Sequence, residues 1–129
     1  MSSERYQQGL GYLRGAQGDD VAEQVEASLR EISASYADFS IASTYGEVFQ
    51  RDGLELRLRQ LVTITILATL GGCERQLRLH VRAGLRLGLS PDEIVETIIQ
   101  VAAYAGAPRA SNAVRVAGDV FAAEGVQPR

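Results

Sequence analysis

The sequence predicts an all-α fold of six or seven helices, and three observations carry that reading. Seventeen Ala and fourteen Leu stand against three Pro, a balance that favours helix. Apolar residues recur at steps of three and four through Val21, Val25, Leu29, Ile32 and Tyr36, the spacing of one helical face. Ser90-Pro91-Asp92-Glu93 spells a helix start in four residues: a hydroxyl cap, a proline where its missing N–H is harmless, and a glutamate that closes a capping box. At 129 residues the chain is expected to form one domain over 1–129. A chain of this size buries roughly two-thirds of the surface its unfolded form exposes, whereas half of it would make a poor core.

Each element follows from local punctuation. Residues 2–15 form a glycine-rich N-terminal arm or helix, with 1–18 as its outer limits; Gly15 and Gly18 break it, and Asp19 or Asp20 caps the next helix. That second helix carries the stripe from Val21 to Tyr36. A third is expected from about Asp38 to Gln50, stopped by Asp52-Gly53. LELRLRQLVTITILATL then reads as a central buried helix; its Thr/Ile run imitates a strand, but its length up to Gly71-Gly72 and the lack of a partner strand favour helix. The fifth helix runs from Cys73 to about Leu87 and closes at Gly88. The sixth, opened by Ser90, buries Ile94, Ile98, Val101 and Ala102. Gly106-Ala107-Pro108 stops it, and a last helix spans about Ala110 to Ala123.

Composition excludes several kinds of chemistry. All 13 basic residues are Arg and none is Lys, which removes Schiff-base catalysis through a lysine amine. One His and one Cys permit neither an intrachain disulfide nor a Cys/His zinc cage. A net charge of -3 and a pI near 5.1 argue against binding driven by nucleic-acid phosphates. MSSERYQQ lacks an apolar signal core, and the longest apolar stretch is about half a membrane span, so a soluble, cytoplasmic protein is expected. Charge is segregated: Asp19–Gln50 carries seven acids and one Arg, and Arg51–Leu89 seven Arg and three acids. Such blocks either pair with each other or mark an anion site in the middle segment.

A few residues could carry chemistry. His80 shares a helix face with Leu77, Gln76 and Cys73; it is either a general acid or base held in a rigid wall, or a core or interface histidine making one hydrogen bond. Cys73 follows a Gly-Gly break at a helix start, where a thiol is acidified. Three residues on stands Gln76 rather than a second thiol, so Cys73 reads as a small residue lining a pocket or core. Arg75, Arg78, Arg82 and Arg86 make a second face of the same helix, which grips a carboxylate, lies in solvent or meets the acidic second helix. Arg57 and Arg59 open an apolar helix, so at least one should point at something that needs it, or else pair with Glu47 or Glu55. Glu47 sits among apolar neighbours, where a carboxyl becomes a weaker acid and could move protons; it is equally a partner for Arg57. Tyr104 ends a buried helix with a hydroxyl that needs a partner.

Taken together, Tyr45-Gly46-Glu47, Arg57-x-Arg59, Gly71-Gly72-Cys73-Glu74 through His80, the Ser90-Pro-Asp-Glu-Ile cap and Tyr104-Ala-Gly-x-Pro108 resemble the carboxymuconolactone decarboxylase family, over about Gly9 to Ala123. The resemblance implies an AhpD-like all-α bundle, free of metal and cofactor, that self-associates into ring-like trimers or hexamers with sites near subunit interfaces. It implies a lyase that releases CO2 from a small carboxylated lactone such as 4-carboxymuconolactone, giving 3-oxoadipate enol-lactone in aromatic catabolism. The lactone's conjugated carbonyl holds the electrons left by CO2, so no Lys, metal or PLP is required. The resemblance casts His80 as proton donor and Glu47 as its orienting or shuttling partner. It makes Arg57 the carboxylate anchor, with Arg59 a weaker candidate, and sets Tyr45, Cys73 and Tyr104 along the substrate. The related alkylhydroperoxidases carry Cys-x-x-Cys before the histidine; Cys73-Glu74-Arg75-Gln76 lacks that dithiol. The chain has no Trp, and Arg109 follows Pro108, departures that bear on the substrate. Two alternatives therefore stand: a tailoring enzyme on an aromatic or polyketide intermediate, as in antibiotic biosynthesis, and a non-catalytic oligomeric binding protein. The last requires His80 to be buried against a backbone partner with no cavity beside it.

Overall fold

A computed structural model of the chain describes residues 3–129; the first residues of the expected N-terminal arm, 1 and 2, lie outside the described residues. The described chain is all-helical and contains no strand. It comprises two compact units, Met1–Leu54 and Glu55–Arg129. No helix among the described residues is long and apolar enough to cross a membrane.

The first unit begins with α1 (Glu4–Gln17), capped by Ser3, whose hydroxyl accepts the Tyr6 N–H. Gly15 lies inside this helix and Gly18 ends it. The glycines that matter are elsewhere: a Cβ on Gly9 would lie 2.5 Å from the Ile41 carbonyl oxygen, and one on Gly46 would lie 1.9 Å from that of Arg5. Two backbones therefore touch at both points, and only hydrogen fits between them. Tyr6, Leu10 and Leu13 pack with Ala22 and Ile41 as the core of this unit.

Two expectations are corrected here. The second helix, α2, spans Asp19–Ile32 and stops four residues before Tyr36. Ser33 is extended and its hydroxyl accepts the Tyr36 N–H, so it starts a new helix, α3 (Ala34–Ser40). Local serine capping overrides the stripe, and Ile32 is 87% exposed. The single helix expected from Asp38 to Gln50 is instead three pieces: the end of α3, a wide π turn over Ile41–Tyr45, and a 3-10 turn over Val48–Gln50. The close approach at Gly46 is where the regular helix gives way. Tyr12, Tyr45 and Phe49 cluster there with ring centroids 5.0–5.7 Å apart, Tyr12 stacked on Tyr45 and Phe49 tilted against both.

The second unit holds four helices: α4 (Leu56–Leu70), α5 (Glu74–Arg86), α6 (Pro91–Ala105) and α7 (Ala107–Glu124). The Ser90 capping box forms as the sequence spells it: Ser90 Oγ accepts the Glu93 N–H at 3.0 Å, and Glu93 Oε1 accepts the Ser90 N–H at 2.9 Å. The core joins Ile64, Val81, Ile94, Ile98, Ala117 and Phe121. The last helix starts at Ala107, earlier than expected, because Pro108 occupies a first-turn position where it costs nothing. α4 is not buried all round. Gln60, Ile64 and Ala68 are buried, while Leu58, Val62, Ile66 and Leu70, also at steps of four, are exposed.

Candidate active site

The central pair is His80 and Gln60. Antiparallel α4 and α5 bring Gln60, in the second turn of α4, against His80 in the middle of α5, and His80 Nδ1 lies 3.0 Å from Gln60 Oε1. Gln60 is 0% and His80 7% exposed. An amide oxygen can only accept, so the contact puts the proton on Nδ1 and leaves the lone pair on Nε2. Burial lowers the imidazole pKa from 6.5 to about 4, because the charged form is denied its hydration. At neutral pH His80 is therefore an uncharged base in a fixed tautomer. Sequence reasoning missed Gln60. Its signal was present, since it occupies the buried face of α4 with Ile64 and Ala68, and a fully buried amide needs a polar partner.

The arginines separate. Arg57 Nη2 donates to Glu93 Oε2, so its partner is neither Glu47 nor Glu55 as the sequence suggested, but the carboxylate that closes the α6 capping box. The Ser90 backbone N–H and, after it, the Arg57 guanidinium hold the Glu93 carboxyl below its usual range. Arg59 differs: its Nε is buried and has no hydrogen-bond partner among the described residues. On α5, Arg78 pairs with Asp119 at 3.5 Å, and Arg82 and Arg86 with Glu124 at 3.0 and 3.9 Å. Acids of α7 thus meet this face.

The remaining candidates stand apart. Cys73 caps α5, its thiol 3.5 Å from the Gly71 carbonyl oxygen, and lines a cavity of about 10 Å³ with Leu77, Arg109 and Asn112, room for about one water. Arg109 donates to the Leu70 carbonyl at 2.7 Å and fills the space a side chain on Gly71 would need. Cys73 precedes His80 by seven positions, about 10 Å along the axis of α5. Tyr104 is 88% exposed, which corrects the expectation of a buried helix end. It borders an apolar groove of about 530 Å³ with Val62, Ile66 and Val101. Glu47 lies in the first unit, where its carboxylate meets Arg5 at 3.4 Å and Arg51 at 3.5 Å and its side chain is 40% exposed. The apolar surroundings expected for it are replaced by two guanidiniums. Tyr45, in the same unit, has its pKa raised to about 12 by burial and by the neighbouring Tyr12, so its hydroxyl stays protonated. Among the described residues no three His, Cys, Asp or Glu side chains are grouped so as to hold a metal ion.

The second unit thus presents a buried, neutral histidine held by an amide on a helical hairpin that two arginines open. The chain belongs to the carboxymuconolactone decarboxylase family, whose model matches residues 34–119. It is 34% identical over 125 residues to 4-carboxymuconolactone decarboxylase of Acinetobacter baylyi, covering 97% of this chain and 92% of that protein. It is also 38% identical over 81 residues to an uncharacterized 15.0 kDa protein of Paracoccus denitrificans, covering 62% of this chain and 60% of that one.

Proposed function

We propose that the protein is a cofactor-independent carboxy-lyase that removes CO2 from a small carboxylated lactone of the 4-carboxymuconolactone type. The likeness to the Acinetobacter decarboxylase supports the substrate class; the observation that carries the mechanism is the buried His80–Gln60 pair. In the proposed reaction the bond from the lactone ring to one carboxylate breaks and CO2 leaves. The electron pair passes into the conjugated lactone carbonyl as a dienolate, and one proton added to carbon completes the enol-lactone.

His80 supplies that proton. It is neutral when the site is empty, and a bound anion raises its pKa by favouring the charged form, so substrate brings a proton onto Nε2. Gln60 accepts from Nδ1 throughout and keeps Nε2 turned to the reacting carbon. One of the two arginines that open α4 takes the carboxylate that stays. The departing carboxylate is better left without a cation, since a salt bridge there would stabilise the ground state more than the transition state. A single anchoring arginine is therefore enough for a dicarboxylate.

The protein acts in the cytoplasm as a trimer or hexamer in this proposal; the exposed apolar row on α4, bordered by Tyr104 of α6, supports self-association. The test is to run the reaction in deuterated water and identify the product: one deuterium per CO2 released, in an enol-lactone, is expected. A folded protein that releases no CO2 from this lactone would move the assignment to a tailoring reaction on a larger aromatic substrate.

A further inference from the structure

We infer that Arg59, rather than Arg57, grips the ligand carboxylate. This deepens the decarboxylase reading and rests on it for the identity of the ligand. Arg57 is already committed: its guanidinium meets Glu93, whose other oxygen holds the Ser90 N–H and with it the start of α6. Turning Arg57 to a ligand would strip the capping carboxylate of its counter-ion. Arg59 has the opposite problem. Its Nε is buried without a partner among the described residues, and a guanidinium cannot shed its charge to escape that cost.

A carboxylate answers this need, because its two oxygens match Nε–H and one Nη–H of the planar fork. The first turn of α4 contains no acid, and the helix field there adds to the attraction for an anion.

The experiment measures binding of 5-oxotetrahydrofuran-3-carboxylate, a saturated lactone acid that does not decarboxylate, against its uncharged methyl ester. The proteins are wild type, Arg59→Gln and Arg59→Lys, each checked for native helicity. Wild type is expected to favour the acid by about tenfold or more, the range of a charge-assisted pair. Arg59→Gln is expected to lose that preference while keeping the ester, and Arg59→Lys to recover part of it. With 4-carboxymuconolactone, Arg59→Gln should raise KM about tenfold with a smaller change in kcat. A purely structural role for Arg59 would instead lower thermal stability and leave the acid-to-ester ratio unmoved. An Arg59→Gln protein with the wild-type ratio, or a wild type with no preference, overturns the inference. A wild type that prefers the acid through Arg59 yet releases no CO2 sinks the decarboxylase reading and leaves the Arg59 assignment standing.

Discussion

His80 and Gln60 form a buried side-chain pair in which the imidazole Nδ1 donates to an amide oxygen 3.0 Å away. A neutral imidazole suits a neutral acceptor. Replacing Gln60 by Glu sets a carboxylate beside Nδ1, and the charged imidazolium becomes favoured. The expected outcome is a His80 pKa raised above its wild-type value of about 4. His80 is the chain's one histidine, so a single imidazole resonance followed by NMR reads the titration; an unmoved pKa would mean that Gln60 does not face the ring in solution.

The same burial makes stability depend on pH. The folded pKa of about 4 lies below the ordinary 6.5, so on acidification the unfolded chain takes up this proton first. Stability is complete above pH 6.5, falls through the window from 6.5 to 4, and is lost below it. The total is about 3 kcal/mol from the size of the shift. Denaturant unfolding of wild type and His80→Gln across this range should show a steeper acid decline in wild type. Equal slopes would place His80 in water.

Two glycines of the first unit divide by surroundings. Gly46→Ala pushes a methyl group into the Arg5 carbonyl, 1.9 Å from the new Cβ, and is expected to cost about 2 kcal/mol or more through forced backbone shifts. Gly11 has nothing within 4 Å and lies mid-helix, so Gly11→Ala should stabilise by about 0.5–1 kcal/mol. Thermal unfolding of the two variants checks both signs.

Ser90→Ala removes the hydroxyl that accepts the Glu93 N–H and should cost about 1 kcal/mol. Glu93→Ala breaks the same box from the other side and also leaves Arg57 without its carboxylate. The two losses are expected to be non-additive, since either one opens the box. A double-mutant cycle with additive losses would show that the two hydrogen bonds act independently.

Val62→Glu and Ile66→Glu place charge in the exposed apolar row of α4. If copies of the chain meet through this face, light scattering should show assembled wild type and dissociated variants. A wild type that is monomeric at micromolar concentration contradicts the proposed assembly.

What the sequence disclosed was local. Ser90 through Glu93 is legible because cap, proline and box lie within four residues, and the α5 boundaries follow from Gly71-Gly72 and Gly88. The break at Ser33 was hidden by an apolar spacing that continues across it, although the serine that makes it was in plain view. The Arg57–Glu93 pair spans 36 positions, and no periodicity rule connects them. Gln60 was passed over because one polar residue in an apolar helix looks like a surface position until its neighbours four apart, Ile64 and Ala68, prove to be core. Tyr104 and Glu47 were placed among apolar neighbours in the chain, but neighbours in sequence did not decide which side faces solvent.

The most direct test of the account is CO2 release from 4-carboxymuconolactone by wild type and by His80→Ala, with helicity confirmed for both. Turnover by wild type and its loss in the variant, by about a hundredfold or more as expected for removal of a positioned proton donor, is the outcome the mechanism requires. Equal turnover by the two proteins would contradict the role of His80 and with it the mechanism built on the His80–Gln60 pair.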